Sequence, residues 1–212
     1  MMAGAMIAAV VLAAGFSSRM GAPKALLPAG PGGATFLGRI VGTLRRAGVE
    51  RVVAVLGVDA PQVRASVAAA GLPVEIVENP DPSRGQLSSL LAGLGTLDEA
   101  EAALVMPVDQ PLVTAETVAR LLRVYRETRA PVIRPCRGKQ HGHPVVFDRS
   151  VFEALRRADL SRGARDVIAA CGPAVVDVAT DDEGAFVDID TPDEYERAFG
   201  GSLDPPPRQS TR

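Results

Sequence analysis

Short runs of Val, Ile, Leu and Ala alternate along the chain with longer stretches in which apolar residues recur every three or four positions. Nearly continuous apolar runs at residues 7–13, 51–56, 74–77, 103–107 and 131–134 predict strands covered on both faces. Helical spacing at 36–46, 61–70, 87–97 and 115–126 supplies the covering helices. That order predicts an α/β fold: one Rossmann-like domain with a mostly parallel, mixed sheet flanked by helices. Later in the chain the pattern shortens, with strands expected at 144–147, 174–178 and 186–187 and helices at 151–157 and 163–170. An antiparallel excursion of the sheet fits this part. A last helix starts near Thr191, with Thr191 or Asp190 as its N-cap and Pro192 in its first turn. The domain is expected to cover residues 6–199. Residues 200–212, with Gly200-Gly201-Ser202 and three consecutive prolines, read as a disordered tail.

Composition narrows the function classes. With 212 residues, 47% of them hydrophobic, the chain can bury one α/β core but not two full ones. A net charge of −2 offers no basic field for nucleic acid or an anionic membrane. Aromatics at 4% and the absence of Trp leave little for a base-stacking platform. Cys136 and Cys171 form no metal-binding spacing and read as free thiols. The apolar run at 6–14 has no basic residue before it, is followed at once by Ser17-Ser18-Arg19, and is too short to span a bilayer. It reads as a buried first strand behind a loose leader, residues 1–5, and a cytoplasmic location is the default expectation.

The first strand runs into Leu12-Ala13-Ala14-Gly15-Phe16-Ser17-Ser18-Arg19-Met20-Gly21-Ala22-Pro23-Lys24. Small residues let the backbone approach a polyphosphate and aim its N–H groups at the oxygens. Arg19 can clamp phosphate oxygens bidentately and Lys24 adds a mobile point charge. The spacing is not that of a P-loop, and no G-x-G-x-x-G follows the strand, which disfavours a nicotinamide-binding protein.

Further on, a turn-rich segment enters a helix at Gly85-Gln86-Leu87-Ser88-Ser89-Leu90, where either serine could equally be a cap. Val105-Met106-Pro107-Val108-Asp109-Gln110-Pro111 ends a strand on a carboxylate held between prolines, at the sheet edge where open α/β folds bind ligands. Mg²⁺ needs only one or two carboxylates beside substrate phosphates, so Asp109 suits it, although Asp also serves as a turn residue. Arg137-Gly138-Lys139-Gln140-His141-Gly142-His143-Pro144-Val145-Val146-Phe147 holds both histidines but nothing that completes a zinc site. Its glycines and basic side chains suit an anionic acceptor. In Asp188-Ile189-Asp190-Thr191-Pro192 the two carboxylates share a face if the segment is extended, and Asp190 could also be a plain helix cap.

Taken in order, these segments resemble the signatures of the MobA-like nucleotidyltransferases, and among them the molybdenum cofactor cytidylyltransferases, over residues 7–199. The resemblance implies a single nucleotidyltransferase domain. The backbone of Leu12, Ala13, Ala14 and Gly15, together with Lys24, would hold an NTP, with Arg19 on its phosphates. Gly85 and Ser88 would line the nucleobase pocket. Asp109 would bind Mg²⁺ with Asp190 as its companion and Asp188 as a weaker second choice; Lys24, Arg19 and Asp109 form the expected catalytic set. Gly142, His143 and Pro144 match the stretch beside the acceptor pocket, whereas Lys139-Gln140-His141 departs from the family's plainer approach. Ala14-Gly15 resembles the cytidylyl branch, which favours CTP; the guanylyl branch more often has Gly-Gly. The implied acceptor is molybdopterin, with a molybdoenzyme or its chaperone as a further partner. The alternatives are a sugar phosphate, polyol phosphate or phospholactate acceptor, and a non-catalytic nucleotide-binding or cofactor-delivery module.

Overall fold

Strand β1, Ile7–Ala13, is the centre of the molecule. The computed structural model describes residues 6–17, 19–30 and 32–201. β1 is flanked in parallel by β2, Arg51–Leu56, and by β4, Ala102–Pro107, so that Val10 lies beside Val53 and Val105. β3, Glu75–Glu78, continues the parallel sheet past β2. On the other side β7, Val145–Asp148, runs antiparallel between β4 and β5, Val132–Arg137. β8, Val175–Ala179, returns to the parallel sense against β5, and the two-residue strand β6, Gln140–His141, folds back on the end of β5. The result is an eight-stranded mixed sheet in the order β3-β2-β1-β4-β7-β5, with β6 and β8 on β5.

Successive residues of a strand point to opposite faces, and here both faces are buried. Ala9 and Val11 face α1, Phe36–Arg46, α4, Ala115–Thr128, and α7, Pro192–Phe199, and α2, Ala60–Ala70, lies on the same side. Ala8, Val10 and Leu12 face α3, Gln86–Leu94, α5, Phe152–Arg157, and α6, Arg165–Cys171. This two-sided burial is why the strand sequences are apolar runs rather than alternating ones. α3 comes so close to β1 that a Cβ at Gly93 would lie 2.5 Å from a methyl of Val10. At the amino end of β4 the fully buried Tyr125 donates its hydroxyl to Asp148 Oδ2 at 2.7 Å, with the Glu101 carbonyl oxygen 3.0 Å from the same hydroxyl. Burial, reinforced by Asp148, pushes that phenol up to about 12.

Several expectations shift. The strand expected at 186–187 is absent, because residues 183–185 wind into a 3-10 turn capped by Asp182, whose carboxylate accepts from Gly184 N. Phe186 packs its ring under the Arg137 guanidinium instead of pairing in the sheet. The helix expected at 87–97 stops at Leu94, with Gly95 as its C-cap, and the helix expected at 163–170 occupies Arg165–Cys171. The third strand is displaced by one residue from 74–77, to Glu75–Glu78. Both cysteines are free. Among the described residues no helix is long and apolar enough to cross a membrane. The leader at 1–5 and the tail beyond residue 201 lie outside the described residues.

Candidate active site

The carboxyl ends of β1 and β4 open into a cleft of about 380 Å³. Its floor is the loop predicted to cradle phosphate: Leu12, Ala13, Ala14, Gly15, Phe16 and Ser17 line it, with Arg19 and Lys24. A Cβ placed on Gly15 meets nothing within 4 Å, so the loop faces open space there. Two contacts shape the loop. Gly57, at the end of β2, lies so near that a Cβ on it would come within 2.6 Å of the Ala14 carbonyl oxygen. Ser17 adopts a left-handed φ of 47° and accepts a hydrogen bond on Oγ from Lys24 N at 3.0 Å, closing the turn over seven residues. Val108 N donates to the Leu12 carbonyl at 3.0 Å and ties the loop to the end of β4.

Lys24 is the hub of the charged groups. Its ammonium lies 3.1 Å from Asp109 Oδ2 and in direct contact with Asp190 Oδ1, while Arg19 Nη2 reaches Asp190 Oδ2 at 2.9 Å. The two carboxylates, 81 positions apart in sequence, are brought together by a backbone hydrogen bond from Ile189 N to the Asp109 carbonyl at 2.8 Å. The choice of cap for α7 also matters. Thr191, not Asp190, is the N-cap: it accepts from Glu194 N, and the Glu194 carboxylate accepts in turn from the backbone N–H groups of Thr191 and Asp190 in a full capping box. The Asp190 side chain is thereby free to face the cleft.

The ionisation of the group follows from burial and charge. Burial raises the Asp109 carboxyl above its ordinary value, and Lys24 opposes that shift. Desolvation would lower Lys24, but Asp109 and Asp190 together hold it above the usual lysine value. The hydrogen bond from Lys24 keeps Asp190 below the carboxylate range, assisted by Arg19. Among the described residues no three His, Cys, Asp or Glu side chains gather as a metal cage. Two carboxylates converging on one cation are what the site offers.

Of the residues singled out in the sequence, Leu12, Ala13, Ala14, Gly15, Arg19, Lys24, Gly85, Asp109 and Asp190 line this one cleft. Ser88 does not. Its hydroxyl donates back to the Gly85 carbonyl at 2.7 Å instead of capping α3, whose N-cap is Gly85 without a side-chain bond, and its neighbour Ser89 lines the cleft with Pro82 and Gln86. A helical period of 3.6 turns adjacent residues about 100° apart, and only the packing of Leu87 and Leu90 into the core decides which serine faces inward. Asp188 also stands off, with Oδ1 accepting from Gln110 Nε2 at 2.6 Å. Gly142, His143 and Pro144 lie outside the cleft lining. Gly142 is pressed against Ala185, where a Cβ would come within 2.0 Å of the carbonyl oxygen, and His143 N donates to that carbonyl at 2.9 Å. Burial holds the His143 imidazole below its ordinary pKa, against the pull of Asp188 and Asp109.

Residues 9–175 match the MobA-like NTP transferase domain family. A protein named nicotine blue oxidoreductase, from Paenarthrobacter nicotinovorans, is 35% identical over 90% of this chain and 95% of its own length. A probable molybdenum cofactor guanylyltransferase from Mycobacterium avium is 34% identical over 76% of this chain and 78% of its own. A bifunctional IPC transferase and DIPP synthase from Rubrobacter xylanophilus is 43% identical over 55% of the chain, which spans only 27% of that longer protein. The crystal structure of Rv0371c from Mycobacterium tuberculosis superposes with a TM-score of 0.78 at 33% identity, covering 94% of this chain and 100% of that one. Its complex with manganese gives a TM-score of 0.74 at 30% identity, with the same coverage. The chain belongs to the MobA-like NTP transferase family and is an enzyme of the nucleotidyltransferase type.

Proposed function

We propose that the protein transfers CMP from CTP to molybdopterin with release of pyrophosphate, using Mg²⁺ held by Asp109 and Asp190. The observation that carries this reading is the convergence of those two carboxylates on the Lys24 ammonium, inside a cleft floored by a small-residue loop. The donor set fits the ion: Mg²⁺ takes hard oxygen ligands and keeps several waters, so two carboxylates and substrate phosphates suffice. When bound, the ion would neutralise charge on the triphosphate. The backbone of residues 12–15 receives the phosphates, and Lys24 and Arg19 offset their charge from the side of Asp190. An oxygen of the acceptor phosphate attacks the α-phosphorus in line. The bond from that phosphorus to the bridging oxygen breaks, and the electron pair leaves with pyrophosphate. An acceptor phosphate is already ionised at neutral pH, so positioning and charge neutralisation are enough without a strong general base. The acceptor is assigned to Gly142, His143 and Pro144 on the resemblance of that stretch to the family's acceptor-side motif.

Ala14-Gly15 supports CTP. GTP is the second reading, favoured by the relative named as a molybdenum cofactor guanylyltransferase, and a sugar phosphate is the alternative acceptor. Redox chemistry is a further reading, favoured by the relative with an oxidoreductase name that matches over 95% of its length. One screen separates them: pyrophosphate release with each of four NTPs, Mg²⁺, and either molybdopterin or a panel of sugar phosphates. CTP with molybdopterin is the expected active pair. Activity with GTP alone reassigns the base, and activity with a sugar phosphate alone reassigns the acceptor. Silence in every combination refutes nucleotidyl transfer.

A further inference from the structure

The cleft has two unlike walls. Arg19, Lys24 and Asp190 come from segments on the α1 and α7 side of the sheet, whereas Pro82, Gly85, Gln86 and Ser89 come from the approach to α3 on the other side and carry no charge. If triphosphate occupies the charged wall, the neutral wall is left for the nucleobase. Ser89 is the hydroxyl on that wall, and its hydrogen bonding is set from behind by Asn79.

Asn79 follows β3 and is 7% exposed. Every polar atom of its amide is used. Nδ2 donates to Ser88 Oγ at 2.8 Å and to Ser89 Oγ at 3.0 Å, and Oδ1 accepts from Asp81 N at 3.0 Å. An amide N–H can only donate, so both serine oxygens are fixed as acceptors toward Asn79. Ser88 then gives its own proton to the Gly85 carbonyl. Ser89 accepts in the same way, but among the described residues its proton has no acceptor, and it borders the cleft.

We infer that Asn79 is a positioning residue that fixes the Ser89 hydroxyl as a hydrogen-bond donor into the cleft, selecting a nucleobase that presents a carbonyl oxygen. This rests on the nucleotide-binding part of the proposed function. Cytosine, uracil and guanine carry such an oxygen and adenine does not. A donor fixed in this way discriminates because a mismatched base leaves the buried hydroxyl unpaired.

The test is a double-mutant cycle read as nucleotide dissociation constants by titration calorimetry on the full chain, with the four NTPs. Wild-type protein should bind ATP the most weakly. Ser89→Ala should weaken the preferred NTP about tenfold and narrow its margin over ATP. Asn79→Asp keeps the acceptor for Asp81 N but has no proton for the serines, so Ser89 turns its proton inward and shows lone pairs to the cleft. That variant should also lose about tenfold, yet add nothing when combined with Ser89→Ala. A merely structural role for Asn79 would lower Tm and affinity alike in both backgrounds; the inference requires the affinity loss only where Ser89 is present. Should Asn79→Asp not fold, Asn79→Ala takes its place in the cycle. Wild-type affinity in Ser89→Ala, or losses that multiply in the double variant, overturns the inference. Nucleotide binding without pyrophosphate release would remove the proposed reaction and leave this cycle to be decided on its own, whereas absence of any NTP binding overturns both.

Discussion

Replacing Lys24 with Ala tests the charged centre most sharply. The ammonium sits 3.1 Å from one carboxylate and in contact with the other, with its side chain only 13% exposed. Its removal has two consequences of opposite sign. Turnover loses a preorganised cation for the triphosphate, a loss of about 10²–10³ in kcat. The empty space between Asp109 and Asp190, in contrast, becomes more negative. At an effective dielectric near 20, unit charges about 4 Å apart interact by about 4 kcal/mol, and exposure of the carboxylates reduces this considerably. Even a third of that energy makes affinity for Mn²⁺ in the absence of nucleotide about tenfold tighter in Lys24→Ala than in wild type. Pyrophosphate release at saturating substrates reads the first effect, calorimetric Mn²⁺ titration the second, and thermal unfolding checks that the fold survives. Lys24→Arg keeps the charge with a different reach and should recover part of the turnover. Near-normal kcat in Lys24→Ala, or unchanged Mn²⁺ affinity, would refute the assignment of Lys24 as the cation between two metal-binding carboxylates.

Other perturbations separate the scaffold from the chemistry. Asp190→Asn should raise the Mg²⁺ concentration needed for half-maximal turnover at least tenfold while the thermal midpoint moves little, since Thr191 and Glu194 do the capping. Thr191→Ala removes that cap and should cost about 1 kcal/mol in denaturant unfolding. Gly142→Ala drives a Cβ into the Ala185 carbonyl and should cost about 3 kcal/mol, visible as a lower denaturation midpoint. Tyr125→Phe takes the hydroxyl away from Asp148, which keeps the hydrogen bond from Ser150 N, and from the Glu101 carbonyl, which keeps the one from Arg149 N, at the end of β4 away from the cleft; a loss of about 1 kcal/mol is expected, with nucleotide affinity unchanged. The same variant carries a pH signature. Burial would raise Asp148, but hydrogen bonds from Ser150 and Tyr125 hold it below the carboxylate range. Its contribution to stability is therefore complete above the ordinary carboxylate pKa and is lost as pH falls through the depressed folded value. Tyr125→Phe moves that loss to higher pH, which a carboxyl NMR titration of Asp148 would register.

The strands that bury both faces were legible because burial on two sides writes a continuous apolar run, as in 7–13 and 51–56. The 186–187 expectation failed because two apolar residues carry no period. Phe186 finds its cover in the Arg137 guanidinium, a contact between residues 49 positions apart. The charged centre was visible residue by residue: Lys24, Asp109 and Asp190 each sit at an element boundary with a chemical reason to be there. Their meeting follows from the resemblance and not from local spacing, since it depends on the Ile189–Asp109 backbone bond and on β4 lying next to β1. Ser88 and Ser89 were indistinguishable in sequence because helix phase is set by the neighbouring leucines. Asn79 gave no motif at all; an asparagine before Pro80 reads as a turn until its amide is seen spanning both serines. Gly142, His143 and Pro144 stand out only through the resemblance, and in the fold Gly142 and His143 pack against the Ala185 turn rather than on the cleft wall.

The shared-cation account is tested most directly by crystals grown with Mn²⁺ and a non-hydrolysable CTP analogue, with the ion located by anomalous scattering. The account predicts a single strong peak coordinated by Asp109, Asp190 and phosphate oxygens, with the Lys24 ammonium displaced onto the triphosphate. A manganese ion bound elsewhere, with Lys24 still bridging the two carboxylates, would contradict it.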